Sequence, residues 1–206
     1  MTELTKAGET YSPLVDDEQR RLLSVALESI LHGLRFGEAL AVQVGGYPPR
    51  FEVQQACFVS LHRGDELRGC VGTLEATRPL VRQVADSAFD AAFRDGRLSP
   101  VEPSEIEQLT IEISLLSALV DLDVATEREL FGALRPGIDG LVITDGERRA
   151  TFLPKVWENF ELPFDFVEHL KRKAGLPPRY WSPTLRLQRY TVESFGAAVV
   201  ELVAGG

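Results

Sequence analysis

The chain has 206 residues, of which 44% are hydrophobic and 26% charged, a composition typical of a globular protein with one sizeable domain. Acidic residues outnumber basic ones by 31 to 22, and the net charge of −9 argues against general nucleic-acid binding, which needs a basic surface. No run of 18 apolar residues predicts a membrane-spanning helix, and the polar, acidic N-terminus lacks the features of a signal peptide. We therefore expect a cytoplasmic protein that acts without nucleic acid or membrane.

The two cysteines and three histidines are not arranged as a metal site or as the disulfide framework of a secreted protein. Cys57 and Cys70 each lie inside an apolar, strand-like run, where a cysteine packs as a small hydrophobic residue. The sequence thus predicts no metal and no cofactor.

The first half of the chain predicts a helix, a hairpin and a second helix. Apolar residues at helical spacing over 16–33 indicate an amphipathic helix that stops at Gly33. Two β-prone runs on either side of "RGDE" indicate a hairpin with strands near 57–62 and 66–73. Residues 79–93 follow with a proline in the first turn and a face of small residues, which favours a closely packed helix.

The second half alternates strands and helices without the regular spacing of parallel βαβ units. Its predicted elements are a strand over 110–117, a short helix over 126–134, a hairpin built from "GLVIT" and "RRATFL", a helix over 163–174 and a final strand over 184–195. This order predicts an α+β fold with a mixed, mostly antiparallel sheet and flanking helices.

One strand carries the residues with chemical potential. If 67–73 is a regular strand, Arg68, Cys70 and Gly72 point to one side of the sheet. Glu112 stands between apolar residues in the strand over 110–117, and a buried carboxylate needs a partner. We predict that Glu112 pairs with Arg68, which would place both side chains and Cys70 on one polar face.

Three interpretations of Cys70 remain open at this stage. As a nucleophile Cys70 would need a base, and Glu112 is our candidate. His62 is a poorer candidate, because the hairpin places it opposite residues 66 or 67 and not opposite Cys70. As part of a binding surface Cys70 would meet a ligand with its neighbours. As a packing residue it would need Gly69 and Gly72 only to let another element approach closely.

The stretch "LRGCVGT", residues 67–73, resembles the central L-R-G-C-[IV]-G-T element of the AMMECR domain family, whose bacterial and archaeal members are called AmmeMemoRadiSam system protein A. The likeness extends over about residues 15–195. It continues through "AAFRDGRLSPVEPSEIEQLTIEISLLS", "GIDGLVITDGERRATFLPKVW" and "FVEHLKRKAGLPPRYW". Arg97 matches the arginine of the family's D-P-R-F-type turn, although Gly96 replaces the usual proline.

The resemblance implies a single domain over 1–206 with a larger and a smaller subdomain, and we place the smaller lobe near 34–56 and in parts of 120–140. It names no reaction. It implies a pathway or complex shared with Memo-like and radical-SAM proteins. From the LRGCVGT face we expect a small-molecule-binding or catalytic component that acts with such partners, with a non-catalytic interaction module or scaffold as the alternative. Catalysis would fall to Cys70 and Glu112. Ligand contacts would fall to Arg68, Gly69, Gly72, Thr73 and, as an anion contact, Arg97.

Overall fold

The computed structural model describes residues 13–204, and the chain forms two compact units of unequal size. The larger unit holds the chain up to Ser114 and from Glu193 onward, and the smaller unit holds Leu115–Val192. Each unit combines helices with antiparallel strand pairs, which confirms the predicted α+β class. Of the stretches expected to form a smaller lobe, 120–140 lies in the smaller unit and 34–56 in the larger. Within 13–204, no helix combines the length and apolarity needed to cross a bilayer.

The elements follow one another as alternating hairpins and helices. The α-helices are α1 (Asp16–Phe36), α2 (Pro49–Glu52), α3 (Leu80–Phe93), α4 (Glu127–Ala133), α5 (Pro163–Lys173) and α6 (Val199–Ala204). The strands are β1 (Cys57–Arg63), β2 (Glu66–Gly72), β3 (Leu109–Leu116), β4 (Val120–Asp121), β5 (Gly140–Asp145), β6 (Arg148–Phe152), β7 (Arg186–Tyr190) and β8 (Val192–Ala198). Short 3-10 turns occupy Val44–Gly46, Pro103–Gln108 and Pro154–Asn159.

The sheet of the larger unit has the order β2-β1-β3-β8, and helices cover one of its faces. Alternate residues of β1 and β3 are fully buried, and α3 packs against β1, β2 and α1. These buried positions are Cys57, Val59, Leu61, Ile111 and Ile113. The intervening residues of both strands are only half-buried, so the opposite face of the sheet carries the polar positions.

Gly33 does not end the first helix, as the sequence predicted. A Cβ at Gly33 would lie 2.4 Å from the Phe93 ring, so this glycine lets α3 approach the last turn of α1. The helix continues to Phe36 and ends at Gly37, whose φ of 75° gives the left-handed conformation that favours glycine after a helix.

The two glycines that flank Cys70 also sit at close approaches between backbones. A Cβ at Gly69 would lie 1.9 Å from the carbonyl oxygen of Ala91 in α3. A Cβ at Gly72 would lie 2.2 Å from the carbonyl oxygen of Cys57 in β1. Packing alone therefore requires glycine at both positions, and their predicted contact with a ligand stays a prediction.

The smaller unit is built on a sheet of order β4-β7-β5-β6 with antiparallel pairing throughout. Its β5–β6 hairpin is the one that the sequence predicted around "DGE". Trp157 stacks on Phe166 at a ring distance of 3.7 Å and donates its indole N–H to the carbonyl oxygen of Asp139 at 2.7 Å. The buried carboxylate of Asp139 in turn binds the Arg135 guanidinium.

The basic stretch at the end of α5 contains one lysine that faces the interior. Lys171 is fully buried, and its ammonium group donates to Glu168 at 2.8 Å and to Glu127. This pairing compensates the burial of the charge and ties α5 to the first turn of α4.

The predicted single strand over 184–195 is two strands in two different sheets. β7 pairs with β4 and β5, whereas β8 joins the sheet of the larger unit. Thr191 separates them, and its backbone is held by Ser117, which accepts from the Thr191 N–H at 3.0 Å and donates its own N–H to the Thr191 carbonyl. The short helix α6 that follows was not predicted from the sequence.

Replacing Gly69 with alanine should destabilise the protein by about 3 kcal/mol, because the new methyl group would force α3 away from β2. Urea unfolding should show this as a lower midpoint. Gly96→Ala is the matched control, since its Cβ would meet nothing within 4 Å, and it should change stability by less than about 0.5 kcal/mol. Equal stability of the two variants would show that α3 does not rest on β2 as described.

Candidate functional site

A β-bulge in β2 sets the direction of the Arg68 side chain. Leu61 lies opposite Gly69 and His62 lies opposite Leu67, so Arg68 is the extra residue without a partner position on β1. The bulge breaks the strict alternation on which the sequence prediction relied. The Arg68 side chain is consequently buried and does not share the environment of Cys70.

The partner of Arg68 is Glu105, and the predicted pairing with Glu112 is wrong. Arg68 donates from Nε to Oε1 and from Nη2 to Oε2 of Glu105, both at 2.9 Å. Glu105 belongs to the 3-10 turn Pro103–Gln108, and its Oε2 also accepts the N–H of Glu102 at 2.9 Å. The two-point contact therefore fastens this turn to the bulged strand.

The same ion pair has a clear electrostatic signature. The hydrogen bond from Arg68, the N–H of Glu102 and the charge of Arg63 together lower the pKa of Glu105 to about 2. Arg63 also donates to Glu105 Oε1 at 3.0 Å. The cluster borders an open polar depression of about 440 Å³, and its Glu105 carboxylate is bonded by both Arg63 and Arg68.

The peptide groups of Cys70 are held from the outer edge of the sheet. β2 is an edge strand, with β1 on its other side. The Cys70 N–H donates to Asp95 Oδ2 at 3.0 Å, and Arg97 Nη2 donates to the Cys70 carbonyl oxygen at 3.1 Å. Asp95 and Arg97 thus occupy the place of a further strand and satisfy the backbone groups that an edge strand leaves free.

Asp95 and Arg97 also bind each other at two points. Arg97 donates from Nε to Asp95 Oδ1 at 2.8 Å and from Nη2 to Oδ2 at 2.6 Å. These bonds, together with the N–H groups of Cys70 and Arg97, hold the pKa of Asp95 well below its usual range. The Asp95 carboxylate is 6% exposed, whereas the Arg97 side chain is 65% exposed, so the pair presents its positive partner to the surface.

The Cys70 thiol lies half-buried against a serine. Ser60 faces Cys70 across the β1–β2 ladder, and its hydroxyl donates to Cys70 Sγ at 3.1 Å. Glu112 alternates with the buried Ile111 and Ile113 and is half-buried, so it lies on the uncovered side of the sheet, as does Ser60 between Val59 and Leu61. We call Ser60, Cys70 and Glu112 the Cys70 face, with Arg97 at its edge.

The remaining predicted site residue, Thr73, stands just after the end of β2. Its N–H donates to the Cys57 carbonyl oxygen at 3.0 Å, and its hydroxyl accepts the N–H of Glu75 at 3.0 Å. These bonds form a turn that leads away from the strand. A ligand contact at Thr73 stays a prediction.

Sequence reasoning missed Ser60, Asp95 and Glu105. Ser60 could have been found, because alternation along β1 places it on the half-buried face. Asp95 precedes Arg97 in the turn "RDGR", but its bond to Cys70 spans 25 residues and no local pattern announces it. Glu105 was hidden because the bulge that turns Arg68 toward it carries no sequence signal.

The arrangement around the Cys70 thiol favours contact with a ligand over nucleophilic catalysis, which needs a base to take the thiol proton. Within 13–204, the side chain that bonds Cys70 Sγ is a serine, whereas His62 stands opposite Leu67. No three His, Cys, Asp or Glu side chains of the described residues converge as metal ligands would. A nucleophilic role for Cys70 with Glu112 as base stays a prediction.

Glu105→Gln should lower the free energy of unfolding by about 3 kcal/mol at neutral pH, because it leaves the buried Arg68 guanidinium without its carboxylate. The folded-state pKa of about 2 lies below the ordinary 4.5, so this stabilisation is present above pH 4.5 and is lost as the pH falls toward 2. Unfolding curves over this range should therefore be less pH-dependent in the variant. The exposed Glu107→Gln should behave like wild type, and the same result for Glu105→Gln would contradict the assignment.

Known proteins are similar to this chain in sequence and in fold over most of its length. The AMMECR1 family model matches residues 23–195. A protein of Methanothermobacter thermautotrophicus is 32% identical over 191 residues, covering 90% of this chain and 97% of its own, and one of Methanopyrus kandleri is 33% identical over 190 residues, covering 87% and 88%. A crystal structure of an uncharacterized protein from Pyrococcus horikoshii superimposes with a TM-score of 0.79 at 27% identity, covering 89% of this chain and 93% of that one. The chain therefore belongs to the AMMECR1 family.

Proposed function

We propose that this protein binds a small molecule on the Cys70 face, with Arg97 at the edge of the site. The observation that carries the proposal is that side chains fix both peptide groups that flank the Cys70 Cα. Asp95 holds the Cys70 N–H and Arg97 holds the Cys70 carbonyl oxygen, while the thiol remains half-exposed. Binding groups held in place before the ligand arrives lose little entropy when it binds.

The chemistry of the face fits recognition better than turnover. Ser60 supplies a hydroxyl and Cys70 a polarisable sulfur, and the two already bond each other. Arg97 adds an exposed guanidinium within reach of the same residue. The site therefore offers several polar contacts, and among residues 13–204 the side chain bonded to the thiol is a serine and not a base, so binding is the function that we put first.

The family resemblance supports a role in a multi-protein process. The bacterial and archaeal members of the family are called AmmeMemoRadiSam system protein A, and this name supports action with Memo-like and radical-SAM partners. We place that action in the cytoplasm. Under this proposal, the Cys70 face holds a small molecule that such partners modify. The glycines at 69 and 72 then serve the site indirectly, because they let α3 and β1 approach the strand that carries Cys70.

Equilibrium dialysis against the small-molecule extract of the producing cells, followed by mass spectrometry, tests the proposal. Wild-type protein should retain at least one compound, and Cys70→Ala should bind it about tenfold more weakly, the effect of losing one good contact. Cys57→Ala is the matched control, because it removes the other thiol from a fully buried position. It should bind the compound as wild type does, with folding checked by circular dichroism.

Two outcomes would overturn the proposal. One is that wild-type protein retains no compound, and the other is that Cys70→Ala retains the same compounds equally well. If Cys70→Ala instead abolished co-purification with Memo-like or radical-SAM proteins while no compound was retained, the result would favour the non-catalytic interaction module.

A further inference from the structure

Two N–H donors of the Arg97 guanidinium make no hydrogen bond to the described residues. An arginine carries five N–H donors, one on Nε and two on each terminal nitrogen. Nε donates to Asp95, and the two donors of Nη2 go to Asp95 and to the Cys70 carbonyl oxygen. Among the residues that the structure describes, nothing accepts from Nη1. Two charged donors on a side chain that is 65% exposed are therefore open to an acceptor from outside.

The charges around Arg97 restrict what that acceptor is. Among the described residues, the charged side chain bonded to the Arg97 guanidinium is that of Asp95. Asp95 already neutralises part of the guanidinium charge from its buried side. A doubly charged phosphate would be left under-compensated here, whereas a singly charged carboxylate matches two N–H donors on one nitrogen.

We infer that the ligand of the Cys70 face carries a carboxylate, which binds Nη1 of Arg97 beside the Cys70 thiol. The inference rests on the proposed function and adds the chemical class of the ligand. Arg97 also donates to the carbonyl oxygen of Cys70 itself, so a molecule anchored on Nη1 binds beside the residue that carries the thiol. Ser60 lies opposite Cys70 on β1, and its hydroxyl donates to the sulfur.

Two alkylating reagents of nearly equal size make this inference measurable. In iodoacetate and iodoacetamide the Cys70 thiolate attacks the CH2 carbon, a C–S bond forms, the C–I bond breaks and iodide leaves with the bonding electrons, the thiol proton having gone to the buffer. Both reagents need the same thiolate, so the ratio of their rate constants cancels its population. The ratio reports only whether the carboxylate is drawn to the site.

The other cysteine does not interfere with the measurement. Cys57 is fully buried, and burial raises the pKa of its thiol to about 12. Peptide mapping by mass spectrometry then follows Cys70 alone. The urea-unfolded protein serves as the reference, because it has the same net charge and the same thiol without the folded site.

We expect the rate ratio of iodoacetate to iodoacetamide to be about fivefold higher in the native protein than in the unfolded reference, the size of one exposed charge contact. Arg97→Gln should bring the ratio back to the reference. Arg94→Gln is the matched control, because Arg94 is equally exposed and pairs with Asp90 at the end of α3, and it should keep the wild-type ratio. Acetate at constant ionic strength should slow the reaction with iodoacetamide and reach a plateau.

The inference would be overturned by a native ratio no higher than the reference, or by a raised ratio that Arg97→Gln leaves unchanged. Failure of both reagents to alkylate native Cys70 would overturn it as well, since a thiol that meets a ligand must admit molecules of this size. The proposed function fails separately. A neutral compound retained in dialysis and lost in Cys70→Ala would support binding at this face and contradict only the carboxylate.

Discussion

The buried carboxylate of Asp95 is the contact on which the rest of the site depends. One oxygen accepts the N–H of Cys70 and a donor of Arg97, and the other accepts from the Arg97 side chain and backbone. Without this carboxylate, an edge strand would keep a free N–H and Arg97 would lose the partner that directs it toward Cys70. A charge that is 6% exposed is stable here because each of its oxygens is bonded to donors.

The position of Asp95 follows from the packing of α3 on the sheet. Gly69 has no side chain, so the backbone of α3 lies directly against β2 at Ala91. The helix ends at Phe93, and Asp95 comes two residues later, beside the next residue of the strand. The motif "LRGCVGT" and the turn "RDGR" are therefore one structural unit. Gly69, the end of α3 and the Asp95 carboxylate together fix the backbone of Cys70.

Much of the fold could be predicted from the sequence, because its signals are local. Turn residues between β-prone runs located both hairpins, and helical spacing located α1, α3 and α5. The errors came from interactions that no local pattern reports. Gly33 was predicted to end the first helix, but it allows close contact with Phe93 of α3, 60 residues later in the chain. The break between β7 and β8 at Thr191 depends on hydrogen bonds to Ser117.

The site was only partly predictable for the same reason. Arg68 and Cys70 are two residues apart, and strict alternation puts them on one face. A single extra residue in the ladder turns Arg68 toward Glu105 instead, and the predicted Arg68–Glu112 pair does not form. Arg97, which entered through the family resemblance, stands beside Cys70, but the carboxylate that holds it there became visible only with the long-range contacts in place.

Amide hydrogen exchange at Cys70 tests the central claim, that Asp95 holds the Cys70 N–H from the outer edge of the sheet. The Cys70 N–H should be protected in the wild-type protein and should exchange about 10- to 100-fold faster in Asp95→Ala, because it loses a hydrogen bond to a charged acceptor. The amide of Val71, whose residue pairs with Val59 on the inner side, should keep its protection. Equal protection of Cys70 in both proteins would contradict the account.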